Sequence, residues 1–131
     1  MSILPKLLWL GVAGAAGTLL RFGIIAVTPK ESILATGVLW ANIIGCASAG
    51  IIWGLSQELV PMSEDVKLIL LVGFLGALTT FSAIVMEASA LFQQGQWLWG
   101  IGYLVLQNVT GLVAFFGLSV LTQRLSEALF M

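Results

Sequence analysis

The sequence contains no histidine, a single cysteine and very few charged residues. Of its 131 residues only 8% are charged, whereas soluble domains carry roughly 25%. With Cys46 alone and no histidine, an internal disulfide framework and the usual Cys/His metal sites are excluded. A net charge of −1 provides no basic surface for nucleic acid. Paired acids and a nucleophile beside a base are also missing, so we do not expect an enzyme.

Long uncharged segments make up most of the chain, and 60% of its residues are hydrophobic. Such a composition cannot cover a water-facing surface, so it indicates an integral membrane protein. A helix needs about 20 apolar residues to cross a hydrocarbon core of about 30 Å. We therefore predict an all-α membrane protein with one domain over residues 1–131 and four transmembrane helices, at about residues 4–27, 32–57, 66–92 and 97–122.

The charges beside these spans give little information about orientation. With four spans, Lys6, Lys67 and Arg124 fall on one side of the membrane and Lys30 falls on the other. Three against one is a weak bias by the positive-inside rule. It fits a chain that simply has few charges, and it fits equally a chain that inserts in both orientations.

Uncharged polar side chains recur near the middle of three predicted spans. They are Asn42 in the second span, Thr80 and Ser82 in the third, and Gln107, Asn108 and Thr110 in the fourth. Each has an ordinary explanation, because such groups often bond a neighbouring helix or their own helix. Their coincidence at one depth favours instead an ion or substrate path.

The stretch "GFLGALTTFSAI" (73–84) places hydroxyls and glycines in the middle of the third span. Irregular backbone survives at this depth only where it is buried in protein or faces water or an ion. Gly76 permits a distorted turn, and the hydroxyls can replace lost backbone partners. We therefore predict a break at the middle of this span, whose freed carbonyls suit a hard cation. The ring edge of Phe81 beside it can attract an anion.

Two charged residues fall inside predicted spans. Arg21 and Glu87 each lie roughly 9 Å from the middle of their span, at 1.5 Å per residue. Either can be a structural charge that reaches the interface, since long charged side chains snorkel. Either can instead line the mouth of an ion path. The sequence leaves both interpretations open.

Three segments together resemble one known family. "GAAGTLLRF" (14–22), "ANIIGC" (41–46) and "GFLGALTTFSAIVME" (73–87) are similar to motifs of the Fluc/CrcB family of fluoride-specific ion channels. Their order and spacing, the chain length and the four-span plan also match, so the resemblance covers nearly the whole chain.

This resemblance implies a passive fluoride channel that relieves fluoride toxicity. It implies an antiparallel, dual-topology homodimer with two pores, in the plasma (inner) membrane of a bacterium. A structural sodium ion (Na+) is expected at the dimer centre, on the backbone carbonyls of Gly76 and Thr79. Arg21 and Glu87 match a family arginine and glutamate. The implied pore residues are Asn42, Phe81, Ser82, Ile84, Tyr103 and Gln107.

The chain departs from the family pattern at several positions. Ile84 stands where the family has a second pore phenylalanine, and it has no ring edge to offer an anion. Val38 replaces a frequent threonine, Ala77 replaces the second of two glycines, and Gln107 replaces a usual serine. Since each family pore uses phenylalanines from both subunits, Ile84 leaves open a heterodimer with a related chain.

A small multidrug-type transporter is a further alternative with four spans and a dual-topology dimer. Such proteins rely on a carboxylate in the first span to exchange protons for cationic drugs. Here the first span contains Arg21 and no acid, which counts against this alternative.

Overall fold

The computed structural model describes residues 1–29, 31–34, 36–58 and 62–130, and within them the secondary structure is helical. Four segments are long and apolar enough to cross a membrane: Ile3–Val27, Gly37–Ser56, Glu64–Gln93 and Trp97–Ala128. The predicted all-α architecture with four spans is therefore confirmed. Lys30, whose side of the membrane entered the charge count, lies outside the described residues.

Three of the spans are single helices: α1 (Ile3–Val27), α2 (Gly37–Glu58) and α6 (Trp97–Phe130). α2 begins later than the predicted residue 32, because the Thr36 hydroxyl caps it by accepting the Leu39 N–H at 3.2 Å. α6 continues past the predicted residue 122, since residues 121–130 contain no glycine or proline to stop it.

The third span, Glu64–Gln93, consists of four pieces. α3 (Glu64–Lys67) is followed by a π-helix (Leu68–Leu75), by the short α4 (Gly76–Leu78) and by α5 (Phe81–Gln93). Between α4 and α5 the backbone is extended, with ψ 154° at Thr79 and φ −151° at Thr80. The predicted break is thus confirmed.

Gly76 has ordinary helical angles, φ −63° and ψ −31°, but its N–H bonds the Leu71 carbonyl five residues back, so the turn at Gly76 belongs to the π-helix. The extended backbone of the break lies at the two threonines. The threonine hydroxyls supply the physical reason. Thr79 Oγ1 donates to the Leu75 carbonyl at 2.9 Å, and Thr80 Oγ1 accepts the Ala83 N–H at 3.3 Å, which caps the start of α5.

Glycines bring the helices close together. Gly17 of α1 lies so near the third span that an added Cβ would collide with the Phe74 carbonyl oxygen. Gly50 of α2 is similarly close to the Phe115 carbonyl of α6. Small residues at such crossings let backbones approach within a membrane, where van der Waals packing drives association.

Ion pairs join the start of α1 to the start of the third span. Asp65 accepts the Met1 amino group at 2.6 Å and also pairs with Lys6. α1 therefore packs along the first half of the third span, whereas α2 packs mainly against α6.

Candidate ion pathway at the break of the third span

Asn42 supplies hydrogen bonds that the extended backbone at the break would otherwise lack. Its Oδ1 accepts the Thr80 N–H at 2.8 Å, and its Nδ2 donates to the Thr80 carbonyl at 3.3 Å. Asn42 is 7% exposed. Its amide gives the Thr80 N–H an acceptor in place of the helical one and adds a donor to the Thr80 carbonyl, which as the N-cap carbonyl also accepts the first bond of α5. The replaced acceptor makes a break tolerable at membrane depth.

The break also frees backbone carbonyls. In an uninterrupted helix the Thr80 N–H would bond the Gly76 carbonyl, but here it bonds Asn42. No described residue donates a hydrogen bond to the carbonyl of Gly76 or of Thr79. Such oxygens are the ligands that hard cations prefer, and they lie at the negative end of a helix. The described residues hold no group of three His, Cys, Asp or Glu able to bind a metal.

α5 begins on the other side of the break with its positive end. The N–H groups of Phe81 and Ser82 are in the first turn of α5, where a helix has no internal acceptor for them. The Ser82 hydroxyl is exposed and lies 3.2 Å from Thr80 Oγ1. This end of the break therefore offers neutral donors to an anion.

A continuous set of hydrogen bonds leads from Asn42 to Glu87, and we call it the relay (Asn42, Gln107, Tyr103 and Glu87). Asn42 Nδ2 donates to Gln107 Oε1 at 3.1 Å, and Gln107 Nε2 donates to Tyr103 Oη at 2.6 Å. Tyr103 in turn donates to the Glu87 carboxylate. Gln107 is 3% exposed and Tyr103 is 0% exposed, so the structure joins four residues named from the sequence through the protein interior.

Phe81 and Ile84 differ in their surroundings. Phe81 is 71% exposed, with its ring outside the packed core of the chain. Ile84 is 8% exposed and packs in a cluster with Val38, Ala88 and Tyr103. Two positions at which the chain departs from the family pattern, Val38 and Ile84, therefore belong to the same cluster.

An open groove of about 470 Å³ lies between α2, the third span and α6. Most of its surface is apolar, and the break forms part of its wall. Its lining includes Asn42, Thr79, Thr80, Phe81, Ile84 and Gln107. The groove thus collects the broken backbone, the aromatic ring and two buried amides into one surface.

Other residues named from the sequence are placed more simply. Asn108 and Thr110 bond carbonyls of their own helix, at 2.7 Å each. This is the ordinary role that polar side chains have within a membrane helix. Arg21 is half-buried in α1 and forms no ion pair with any residue of the described ranges. Glu87 is half-buried and belongs to the relay.

Sequence reasoning missed Thr36. Its hydroxyl caps α2 and lies 3.3 Å from Tyr103 Oη, so it joins the start of α2 to the relay. A threonine directly before Gly37 is a recognisable capping signal. The residues before Thr36 are mostly apolar, so the sequence predicts a span that begins upstream, at residue 32, with Thr36 in its interior.

Comparison with known proteins identifies the family. Residues 8–118 match the profile of the family described as CrcB-like protein, Camphor Resistance (CrcB). The chain belongs to this family. The residues of the relay and the break all lie inside the matched segment of this CrcB-family chain.

Several curated relatives of this CrcB-family chain carry the name "Fluoride-specific ion channel FluC". One from Desulforapulum autotrophicum is 39% identical over 108 residues, or 81% of this chain and 86% of the relative. Another from Nitrosococcus oceani is 36% identical over 115 residues, or 85% and 90%. A third from Pseudomonas fluorescens is 38% identical over 116 residues, or 86% and 92%. The family resemblance found in the sequence motifs is confirmed.

Proposed function

We propose that the protein is a passive fluoride-selective channel that exports fluoride and thereby relieves its toxicity. Relatives that match most of the chain are named as fluoride-specific ion channels. The observation that carries the proposal is the broken third span, held open by Asn42 next to the exposed ring of Phe81. A small multidrug-type transporter is not favoured by the family to which the chain belongs.

Neutral groups would replace the water around a passing fluoride ion. The donors at the start of α5, the Ser82 hydroxyl and the positive edge of the Phe81 ring all favour an anion without adding a full charge. Conduction requires that binding remain weak enough for the ion to leave. Partial charges meet that requirement better than a fixed cation, which would hold a small anion strongly.

A second, antiparallel copy of the chain would complete the pathway. In one copy the groove is open and Phe81 is 71% exposed, so a pore needs a further wall. Two inverted copies facing each other would build two equivalent pores, one from each groove, in the plasma (inner) membrane of a bacterium.

The carbonyls of Gly76 and Thr79 are the expected ligands of a structural sodium ion at the dimer centre. Both lack a donor among the described residues, and a second copy would contribute the same two oxygens. A bound cation would supply positive charge that stabilises the free carbonyl ends of both broken helices.

Reconstitution of the purified chain, without any related protein, tests the channel proposal. Liposomes loaded with fluoride should release it rapidly through the protein, and chloride should leave far more slowly. Fluoride release no faster than from protein-free liposomes would refute the proposal. A stable dimer that conducts on its own would argue against an obligate heterodimer. Proton-driven transport of a cationic dye, abolished by Glu87→Gln, would favour the multidrug alternative.

Replacing Phe81 with isoleucine should lower fluoride release by about tenfold or more, because an aromatic edge is lost from the anion path. The fold should persist, since the ring is largely outside the core. Phe116→Ile is the matched control, because Phe116 is also an exposed ring but is not part of the groove. Equal release by the two variants would place the anion site away from Phe81.

A further inference from the structure

The relay connects the backbone break in the third span to a carboxylate further along the same span. One end, Asn42, holds the Thr80 peptide at the break, and the other end, Glu87, lies seven residues further along the same span. A carboxylate within a membrane span is rare and is usually retained for a function. Its only hydrogen-bond partner among the described residues is Tyr103, so any effect on the break must pass through that phenol.

The available donors determine the direction of each bond in the relay. Thr80 offers an N–H and a carbonyl, so Asn42 must turn its oxygen to the first and its NH2 group to the second. That NH2 group also faces Gln107, which therefore presents its oxygen and turns its own NH2 group to Tyr103. The phenol has one hydrogen, and its oxygen already accepts from Gln107. The hydrogen is thus free for Glu87, whose carboxyl oxygen accepts it.

We propose that Glu87 is a positioning residue, which acts through Tyr103 and Gln107 to hold the Asn42 amide in the orientation required by the break. The acceptor at Glu87 keeps the Tyr103 hydrogen away from Gln107. Without it, that hydrogen is drawn to the Gln107 oxygen, and Gln107 then turns its NH2 group towards Asn42. Two donors would face each other there, and the Asn42 amide would leave the Thr80 peptide.

Thr36 does not replace Glu87 in this role. Its hydroxyl oxygen already accepts the Leu39 N–H, and its hydrogen is directed to Tyr103 Oη, 3.3 Å away. If Tyr103 donated to Thr36 instead, the Thr36 hydrogen would lose its acceptor. With an acceptor oxygen at position 87, every donor in the cluster has a partner.

Exchange of the Thr80 amide hydrogen for deuterium tests the proposal in the full protein. It is measured by solid-state NMR on protein labelled with 15N-threonine in lipid bilayers. Glu87→Met replaces the strong oxygen acceptor with a thioether, which accepts only weakly, and should speed Thr80 exchange by about tenfold, the protection given by roughly one hydrogen bond. Glu87→Gln keeps an acceptor oxygen and should restore protection. Met86→Leu, at an exposed neighbour on α5, is the control and should leave exchange unchanged.

A second pair of variants tests whether Glu87 acts through the phenol. Tyr103→Phe removes the hydrogen that would otherwise turn to Gln107, so adding Glu87→Met in the Tyr103→Phe background should cause no further change in Thr80 exchange. The proposal is overturned by unchanged exchange in Glu87→Met, by equal exchange in the Gln and Met variants, or by additive effects of the two substitutions. Equal Gln and Met effects would mean that the charge matters and not the acceptor.

The inference deepens the proposed function, and only its flux readout rests on that function. In liposomes, fluoride release should fall with Glu87→Met and recover with Glu87→Gln. If the unmodified protein released no fluoride but showed the exchange pattern, the channel proposal would fail and the positioning role would stand. If the unmodified protein released fluoride but the variants did not show the exchange pattern, the channel proposal would stand and the positioning role of Glu87 would fail.

Discussion

Replacing Asn42 with leucine is expected to collapse the break in the third span and to abolish fluoride release. Leucine has the same branched shape and the same number of side-chain heavy atoms as asparagine, but it bonds neither the N–H nor the carbonyl of Thr80, and it leaves Gln107 without its donor. A buried polar group that loses its partner costs about 1–3 kcal/mol. With several groups affected, the free energy of unfolding should fall by about 3–5 kcal/mol.

Denaturation in detergent and fluoride release from liposomes measure this effect. Thr110→Val is the matched control, because Thr110 also sits in a membrane span but bonds only carbonyls of its own helix. The control should change stability by less than about 0.5 kcal/mol and should still conduct. An Asn42→Leu protein that melted and conducted like the unmodified chain would show that the break is held by other groups.

Replacing Gly17 with alanine should separate α1 from the third span. The added Cβ would collide with the carbonyl oxygen of Phe74 and lie 3.0 Å from the backbone nitrogen of Leu78. Both are backbone atoms, so no side chain can rotate away to make room. Overpacking costs about 1–3 kcal/mol, and we expect the upper end of that range here. Since Leu78 directly precedes the break, fluoride release should fall as well.

Gly11→Ala in the same helix is the control for Gly17→Ala. An added Cβ at Gly11 has no atom within 4 Å, and alanine is favoured over glycine in helices by about 1 kcal/mol. The control should therefore be neutral or slightly stabilising, as measured by thermal unfolding in detergent. Equal melting temperatures for the two variants would mean that α1 can shift without loss of packing.

The spans and the break could be predicted because their signals are local. Long uncharged segments mark the spans, and the hydroxyl-rich "TTFS" (79–82) marks where backbone partners are replaced. The π-helix could not be predicted in the same way. Leu68–Leu75 is a nearly uniform apolar segment, and such a segment has the same pattern in an α-helix and in a π-helix.

The relay was only partly predictable, for a different reason. Asn42, Tyr103, Gln107 and Glu87 were each named from the sequence, but the sequence could not show which of them bond one another. Tyr103 and Glu87 lie 16 residues apart on different helices, so their contact depends on how α5 and α6 rotate about their axes. Burial of Ile84 against Val38 depends likewise on how α5 is rotated towards α2.

The ion pairs of Asp65 with Met1 and Lys6 place the beginning of α1 beside the beginning of the third span. With four membrane crossings, α6 ends on the same side of the membrane as α1 begins. If two copies insert in opposite orientations, the start of α1, the start of the third span and the end of α6 lie on one side in one copy and on the other side in its partner. A reporter protein fused next to residue 1 would then be detected in equal amounts on both sides of the membrane, whatever signal directs insertion.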